Sequence, residues 1–188
     1  MVVLVSERTG RVEAHRLLSG LRDEYDRYLE SITYIPPTAI RHQEDMRRYL
    51  CLRFSGFLEK VTEVVLSDFI RRKSGGPIRE FALGELKVPN LTPKKFSDLL
   101  GKFGDAYPER FAARLGKVHT DTLADLLDVR NKVAHGSMQG GAKLDPSRYL
   151  ALVETIYFWL FEEFMDEEPI EIRPDGSTSQ SEDARIRR

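Results

Sequence analysis

The sequence lacks the features that mark several large classes of protein. It has a single cysteine, Cys51, so no internal disulfide can form, and its apolar surroundings indicate an inert thiol in a helix core. No run approaches the roughly 18 apolar residues of a membrane-spanning helix. Residues 1–5 are too short for the apolar region of a signal peptide. We therefore expect a cytoplasmic protein with no membrane span.

Strong charge of one sign is also missing. The net charge is −1, so no overall basic field attracts nucleic acid or an anionic membrane, and RNA contacts would depend on a local patch. One cysteine and four scattered histidines give no zinc spacing. The chain has no P-loop, no G-x-G-x-x-G, no H-E-x-x-H and no G-x-S-x-G motif. We expect neither a metal nor a cofactor.

What the sequence has in abundance is helical periodicity. Apolar residues recur at three- and four-residue intervals, which predicts an all-α bundle of about four to five main helices. The predicted helices are 9–32, 39–72, a short helix after Thr92 and Pro93, a short turn at 108–115, a helix capped by Thr120 or Asp121, and a last helix after Asp145 and Pro146.

Two segments depart from this pattern. Between 77 and 91 the apolar residues alternate loosely around Gly84 and Pro89, which predicts a short irregular or extended insertion. Residues 167–188 have no apolar periodicity, and we expect a disordered tail there. The remaining residues, 1–166, are expected to form a single domain.

Two features allow two interpretations each. The last helix is apolar nearly all round, so it is either a central core helix or lies against a second subunit. An early basic cluster, interleaved with Tyr49 and Phe54, either lines an RNA path or forms a salt-bridged face with Glu44 and Asp45. The cluster consists of Arg41, Arg47, Arg48 and Arg53. A late basic cluster at Arg71, Arg72 and Lys73 is interpreted as structural, because cations stabilise a helix C-terminus.

The stretch 123–138 carries the candidate chemistry. Leu123, Leu127 and Arg130 fall on one side of a helix, so Arg130 occupies a position where a core leucine is expected. A guanidinium is costly to bury alone and must therefore face a cleft or a paired partner. Asn131 and His135 are four residues apart and share a neighbouring face.

These three side chains suit a phosphate-bearing ligand. Arginine offers a forked cation, asparagine an orienting amide, and histidine a proton carrier near neutral pH. Positions five apart on an ideal helix differ by about 140°, so Arg130 and His135 converge only if the helix ends between them or a second subunit contributes. The alternative is a surface histidine at a helix C-terminus beside an arginine whose head reaches solvent. Gly136 predicts a left-handed end to this helix.

The segment R-N-K-V-A-H-G at 130–136 resembles the R-N-x3-H form of the R-x4-6-H signature of HEPN domains. The bare spacing also fits Arg114 with His119 and Arg8 with His15. In those two pairs the histidines, like His42, are more typical of surface residues than of catalysts.

The 130–136 match is distinguished by Asn131 directly after the arginine and by the small residues Ala134 and Gly136 around the histidine. The phrase Y-L-C-L-R-F-S-G-F-L at 49–58 is similar to the early helix of the RiboL-PSP-HEPN branch. The resemblance covers roughly residues 40–164. It implies an HEPN-like helical bundle.

The resemblance also implies a function, that of a metal-independent endoribonuclease in toxin–antitoxin or antiviral defence. The expected substrate is RNA, the expected state is a homodimer, and an antitoxin or defence-system protein is the implied partner. Arg130, Asn131 and His135 are the expected catalytic residues. The alternative is a non-catalytic helical module that binds a partner protein or nucleic acid, which the near-neutral net charge and the apolar last helix favour.

Overall fold

The computed structural model describes residues 9–36, 38–88, 90–137, 144–165, 171–172 and 178–179. These residues form six helices and one pair of two-residue antiparallel strands, which confirms the prediction of an all-α bundle. In chain order the elements are α1 (Thr9–Tyr34), α2 (Ile40–Lys73), α3 (Gly76–Glu85), α4 (Pro93–Gly101), α5 (Ala106–Ala134), α6 (Pro146–Phe164), β1 (Glu171–Ile172) and β2 (Thr178–Ser179).

Helix α2 is the centre of the bundle. It is 34 residues long and packs against α1, α5 and α6, while α6 also packs against α5 and α4 packs against α5. Phe54, Val61 and Val65 of α2 are completely buried, as their three- and four-residue spacing predicts. The four long helices therefore share one core, with α2 in contact with the other three.

Helix α6 is a core helix, which decides between the two interpretations of its apolar sequence. Tyr157, Phe161 and Phe164 are completely buried within the subunit. Trp159 is 2% exposed and its ring lies 4.8 Å from that of Phe111 on α5. Most of the aromatic side chains of α6 therefore pack within the subunit, and Phe158 is half-buried.

The predicted insertion at 77–91 is partly wrong, because α3 occupies most of it. The alternation of apolar residues around Phe81 suggested an extended chain, but Pro77 lies in the first turn of a helix, where it is tolerated. Gly84 does not interrupt α3, because it is exposed and its neighbourhood is open. Among the described residues of this stretch, 86–88 and 90–91 lie outside the helices, and Leu86 has an extended backbone.

The predicted cap at Thr120 or Asp121 is wrong, because the second helical segment of α5 already begins after Gly116 and includes both residues. The hydroxyl of Thr120 instead donates a hydrogen bond to the carbonyl of Gly116, 2.8 Å away. At Gly116 the backbone has φ 61° and ψ −178°, which produces a kink that glycine accommodates readily. The sequence break was therefore real, but it is a bend at Gly116 between helical segments and not a capped start.

Two other predicted helix starts are confirmed. The Thr92 hydroxyl accepts a hydrogen bond from the backbone N–H of Lys95, 3.3 Å away, at the start of α4. The Asp145 carboxylate accepts one from the N–H of Ser147, 3.0 Å away, at the start of α6. In both helices the proline that follows the cap occupies the first turn.

The predicted tail at 167–188 falls mostly outside the described residues. The structure gives only β1 and β2 there, with Glu171 opposite Ser179 and Ile172 opposite Thr178. The disordered tail and the domain limit at residue 166 stay predictions.

A buried carboxylate ties the start of α1 to α2 and α6. Asp68 is 5% exposed and accepts a 2.8 Å hydrogen bond from Nε of Arg72, whose Nη2 also donates to the carbonyl of Phe164. The structural interpretation of this basic position is therefore confirmed. Asp68 lies directly against Gly10, in the first turn of α1, where a negative charge is favourable. Only a residue without Cβ fits at that approach.

We expect Gly10→Ala and Gly20→Ala, two changes in the same helix, to have opposite effects on stability. An alanine Cβ at position 10 would lie 2.6 Å from Oδ1 of Asp68, and overpacking of this kind lowers the free energy of unfolding by about 1–3 kcal/mol. At Gly20 no heavy atom lies within 4 Å, so alanine should raise it by roughly 0.5–1 kcal/mol. Urea unfolding of both variants measures the two changes. Equal effects of the same sign would contradict the close approach to Asp68.

His15 lies in the α1–α6 contact and is not the partnerless surface residue that its sequence surroundings suggested. Its Nδ1 shares a 2.7 Å hydrogen bond with the hydroxyl of Tyr157, and its ring lies 4.9 Å from that of Phe161. Its Nε2 is buried without a hydrogen-bond partner among the described residues. Burial, and secondly the charge of Arg11, lower the pKa of His15 from its ordinary value of 6.5. The folded protein therefore favours the neutral imidazole.

This lowered pKa predicts a pH-dependent stability. Below pH 6.5 the unfolded chain binds a proton at His15 more readily than the folded chain does. The free energy of unfolding should therefore decrease as the pH is lowered, by at most about 1.4 kcal/mol per pH unit. Above pH 6.5 the residue should contribute no slope. Urea unfolding of the wild type and of His15→Gln between pH 8 and 5 compares the slopes. Identical slopes in the two proteins would show that His15 is not the group responsible.

Candidate active site

The C-terminal end of α5 is held by a glycine in the left-handed conformation. Gly136 has φ 64°, and its N–H donates to the carbonyl of Val133 over 3.1 Å. The N–H of Ser137 donates to the carbonyl of Lys132 over 2.9 Å. Together these two bonds form a Schellman motif, which confirms the predicted left-handed helix end. His135 is thereby fixed as the C-cap residue, directly after the last helical position.

Arg130 lies where α5 leaves the core. Leu123 and Leu127, on the same side of the helix, are almost completely buried, whereas the Arg130 side chain is 31% exposed. Its Nη1 donates a 3.1 Å hydrogen bond to Oδ1 of Asn131. Arg130 and Asn131 are thus brought together.

Arg130 also has a charged neighbour on α2. Oε1 of Glu59 lies 4.0 Å from Nη2 of Arg130, and the same oxygen accepts a 2.8 Å hydrogen bond from the backbone N–H of Asn90. The expectation that Arg130 faces a cleft or a paired partner is met by the charged neighbour Glu59, and the guanidinium keeps part of its surface in solvent. Sequence reasoning missed Glu59 and Asn90.

His135 is exposed and makes no side-chain hydrogen bond or ion pair with Arg130 or Asn131 among the described residues. Because α5 is helical up to Ala134, the angular offset between positions 130 and 135 remains. One subunit therefore presents Arg130 and His135 in different directions from the helix end, with Asn131 between them and hydrogen-bonded to Arg130.

The competing arginine–histidine match on α5 is occupied by structural contacts. Arg114 forms a 3.1 Å ion pair with Glu162 of α6. Nδ1 of His119 lies within hydrogen-bond distance, 3.1 Å, of the Leu115 carbonyl in its own helix. In the other match Arg8 is outside the described residues, and His15 bonds to Tyr157.

Within the early basic cluster, the salt-bridged interpretation holds for two arginines. Arg48 bonds to Asp45 at 2.8 Å and to Glu44 at 3.2 Å. Arg53 makes two 2.7 Å hydrogen bonds to the carboxylate of Glu24 on α1. Phe54 is completely buried, so it cannot stack on a base. These contacts neutralise much of the charge that the sequence offers to RNA here.

A groove of about 550 Å³ opens beside this cluster, between α1 and α2. Its lining includes Tyr28, His42, Met46 and Tyr49, but none of the three predicted catalytic residues. The groove and the Arg130 region are therefore separate features of the surface.

Other kinds of site find no support in the described part of the chain. No group of three or more His, Cys, Asp or Glu side chains there is arranged to hold a metal ion. None of the helices there is long and apolar enough to cross a membrane. Burial raises the pKa of the Cys51 thiol to about 12, so it stays protonated, as expected of an inert core residue.

Comparison with known proteins supplies the family. A family model, RiboL-PSP-HEPN, matches residues 21–167. Neither the search of curated proteins nor that of solved structures gave a significant match. The matched residues run from α1 to just beyond α6 and include both the paired Arg130 and Asn131 and the helix end at His135. The chain therefore belongs to the RiboL-PSP-HEPN family.

Proposed function

We propose that this protein is a metal-independent endoribonuclease that cleaves RNA by attack of the 2′-OH on the adjacent phosphate. The observation that carries the proposal is the state of Arg130. Its guanidinium is part-exposed, ordered by Asn131 and close to, but not hydrogen-bonded with, Glu59. A guanidinium held in this way has N–H donors left for a phosphate oxygen.

In the proposed chemistry the RNA supplies the nucleophile, and the protein supplies the groups that move the proton and stabilise the phosphate. RNA carries its own nucleophile, so the step needs a base for the 2′-OH proton, a cation for the phosphate and a proton for the leaving 5′-oxygen. His135 takes the proton of the 2′-OH as the 2′-oxygen bonds to phosphorus, and it returns that proton to the 5′-oxygen as the bond from phosphorus to the 5′-oxygen breaks. Arg130 stabilises the charge that develops on the phosphate, and Asn131 orients Arg130. The products are a 2′,3′-cyclic phosphate and a 5′-OH end.

A homodimer is part of the proposal. His135 and Arg130 diverge within one subunit, so a second copy that faces the first supplies the missing half of each site. A role in toxin–antitoxin or antiviral defence in the cytoplasm, with an antitoxin or defence-system protein as partner, follows from the family resemblance.

We expect the wild type to cleave single-stranded RNA in EDTA and to leave the all-deoxy strand intact. His135→Ala should lower the cleavage rate about 10²–10⁴-fold, because proton transfer by a positioned side chain contributes that much. Arg130→Ala should lower it about 10²–10³-fold through lost charge stabilisation. Gel analysis of labelled RNA, with identification of the cyclic phosphate end, measures both changes.

Arg114 and His119 provide a matched control, because they lie on the same helix and have the same separation in sequence as Arg130 and His135. His119→Ala and Arg114→Ala should keep the wild-type cleavage rate. Cleavage that survives both changes at positions 130 and 135, or equal cleavage of DNA, would refute the ribonuclease proposal.

Sharing of residues across a dimer gives a separate prediction. If each site takes Arg130 from one subunit and His135 from the other, a mixture of the two inactive variants, Arg130→Ala and His135→Ala, should regain activity. Random pairing makes half of the dimers mixed, each with one intact site of two, so about a quarter of wild-type activity should return. The two variants are mixed, unfolded and refolded together, and RNA cleavage by the resulting dimers is then measured. Continued inactivity of demonstrably mixed dimers would place both residues of a site in one subunit.

A further inference from the structure

Glu59 is built into the contact between α2 and α5, at the edge of the buried face of α2. Leu58 and Val61 beside it are buried, while the Glu59 side chain is 27% exposed. Its Oε1 faces two groups on different elements, the N–H of Asn90 at 2.8 Å and Nη2 of Arg130 at 4.0 Å. One carboxylate oxygen thus connects α2, the segment before α4, and the candidate site on α5.

Asn90 presents its N–H to Glu59 from an unusual backbone conformation. It has φ 53°, and among the described residues it is the one non-glycine residue with a positive φ. Such a conformation costs on the order of 1 kcal/mol or more and persists where neighbouring contacts hold it. The contacts here are the bond to Glu59 and a 2.7 Å bond from the N–H of Thr92 to the carbonyl of Asn90. The strained residue is therefore one end of the connection that fixes the Glu59 carboxylate.

The geometry points to Glu59 as a positioning residue for Arg130, an inference that rests on the proposed ribonuclease function. The hydrogen bond from the N–H of Asn90 to Oε1 anchors the carboxylate, and Oε1 lies beyond hydrogen-bond distance of the Arg130 guanidinium. At 4.0 Å it attracts the guanidinium by charge but takes none of its N–H donors in a hydrogen bond. Asn131 orients the guanidinium through Nη1, and Nη2 is left to bind a phosphate oxygen.

The Glu59 carboxylate has opposite effects on substrate binding and on turnover. The carboxylate keeps Arg130 in place for the transition state, which favours turnover. The same negative charge lies near the position of the substrate phosphate and opposes its binding. A residue that served only to stabilise the fold would not separate turnover from binding in this way.

Glu59→Gln tests the separation, since the amide oxygen still accepts the bond from Asn90 while the charge is lost. We expect kcat to fall about 10- to 100-fold, the loss typical of a supporting group around a reactive one. We expect KM for RNA to fall about five-fold at low salt, because a like charge near the phosphate is removed. Glu63→Gln is the matched control, because Glu63 lies one turn further along α2 and pairs with exposed Lys60. It should leave both constants unchanged.

Two further measurements make the result decisive. Glu59→Asp keeps the negative charge but moves it away from Arg130, so kcat should fall while KM stays at the wild-type value. If Glu59→Gln does not fold, Glu59→Asp serves as the test. Nitrogen-15 NMR of the Arg130 guanidinium should show greater mobility in Glu59→Gln than in Glu63→Gln. Unchanged guanidinium order, or a lower kcat with a raised KM, would overturn the role of Glu59. Absence of cleavage by the wild type would instead overturn the proposed function, and the NMR comparison would still decide the positioning of Arg130.

Discussion

Burial of α2 against three other helices is the constraint on which the rest of the structure depends. Helix α2 packs against α1, α5 and α6, so its polar residues in or beside these contacts lie close to groups of other elements. Glu59 lies at the edge of the buried face, which is why it can reach both Asn90 and Arg130. Asp68 lies within the buried face and ties the start of α1 to the end of α6 through Arg72. The candidate site is therefore a consequence of how the core is shared, and its geometry depends on the α2–α5 packing.

The charge distribution determines how strongly and how selectively such a site would bind RNA. The protein has almost no net charge, and Arg48 and Arg53 of the early basic cluster are neutralised by carboxylates within reach. If the protein acts on RNA as proposed, these two arginines add little to the sequence-independent attraction to the phosphate backbone, which grows with the number of cationic contacts. Under the proposed mechanism, binding relies on a few contacts close to Arg130. That arrangement favours recognition of a particular RNA shape or partner-bound RNA over general binding of nucleic acid.

The sequence carried most of the fold because helical periodicity and cap–proline pairs are local signals. It failed where a local signal had two physical outcomes. Gly84 is a breaker in general but is tolerated on the exposed side of α3, and the glycine break in α5 became a bend at Gly116. His15 looked like a surface residue because its polar neighbours in sequence hide its contact with Tyr157, 142 positions away. Glu59 could not be distinguished from the other acidic residues of α2, since its partners come from distant segments.

Arg130, Asn131 and His135 also show what local sequence signals can and cannot predict. Apolar periodicity and Gly136 predicted that Arg130 and Asn131 lie near a helix end, and the Schellman motif at Gly136 explains why His135 is fixed there. That motif also keeps His135 in a direction different from Arg130, because the helix continues until the residue before it. The imidazole is exposed, and most of the aromatic side chains of α6, which the sequence assigned either to the core or to a second copy, are buried in the subunit. Under the proposed function, the dimer must therefore form around the end of α5 itself, so that the surface that joins two copies and the cleft that holds the phosphate are the same.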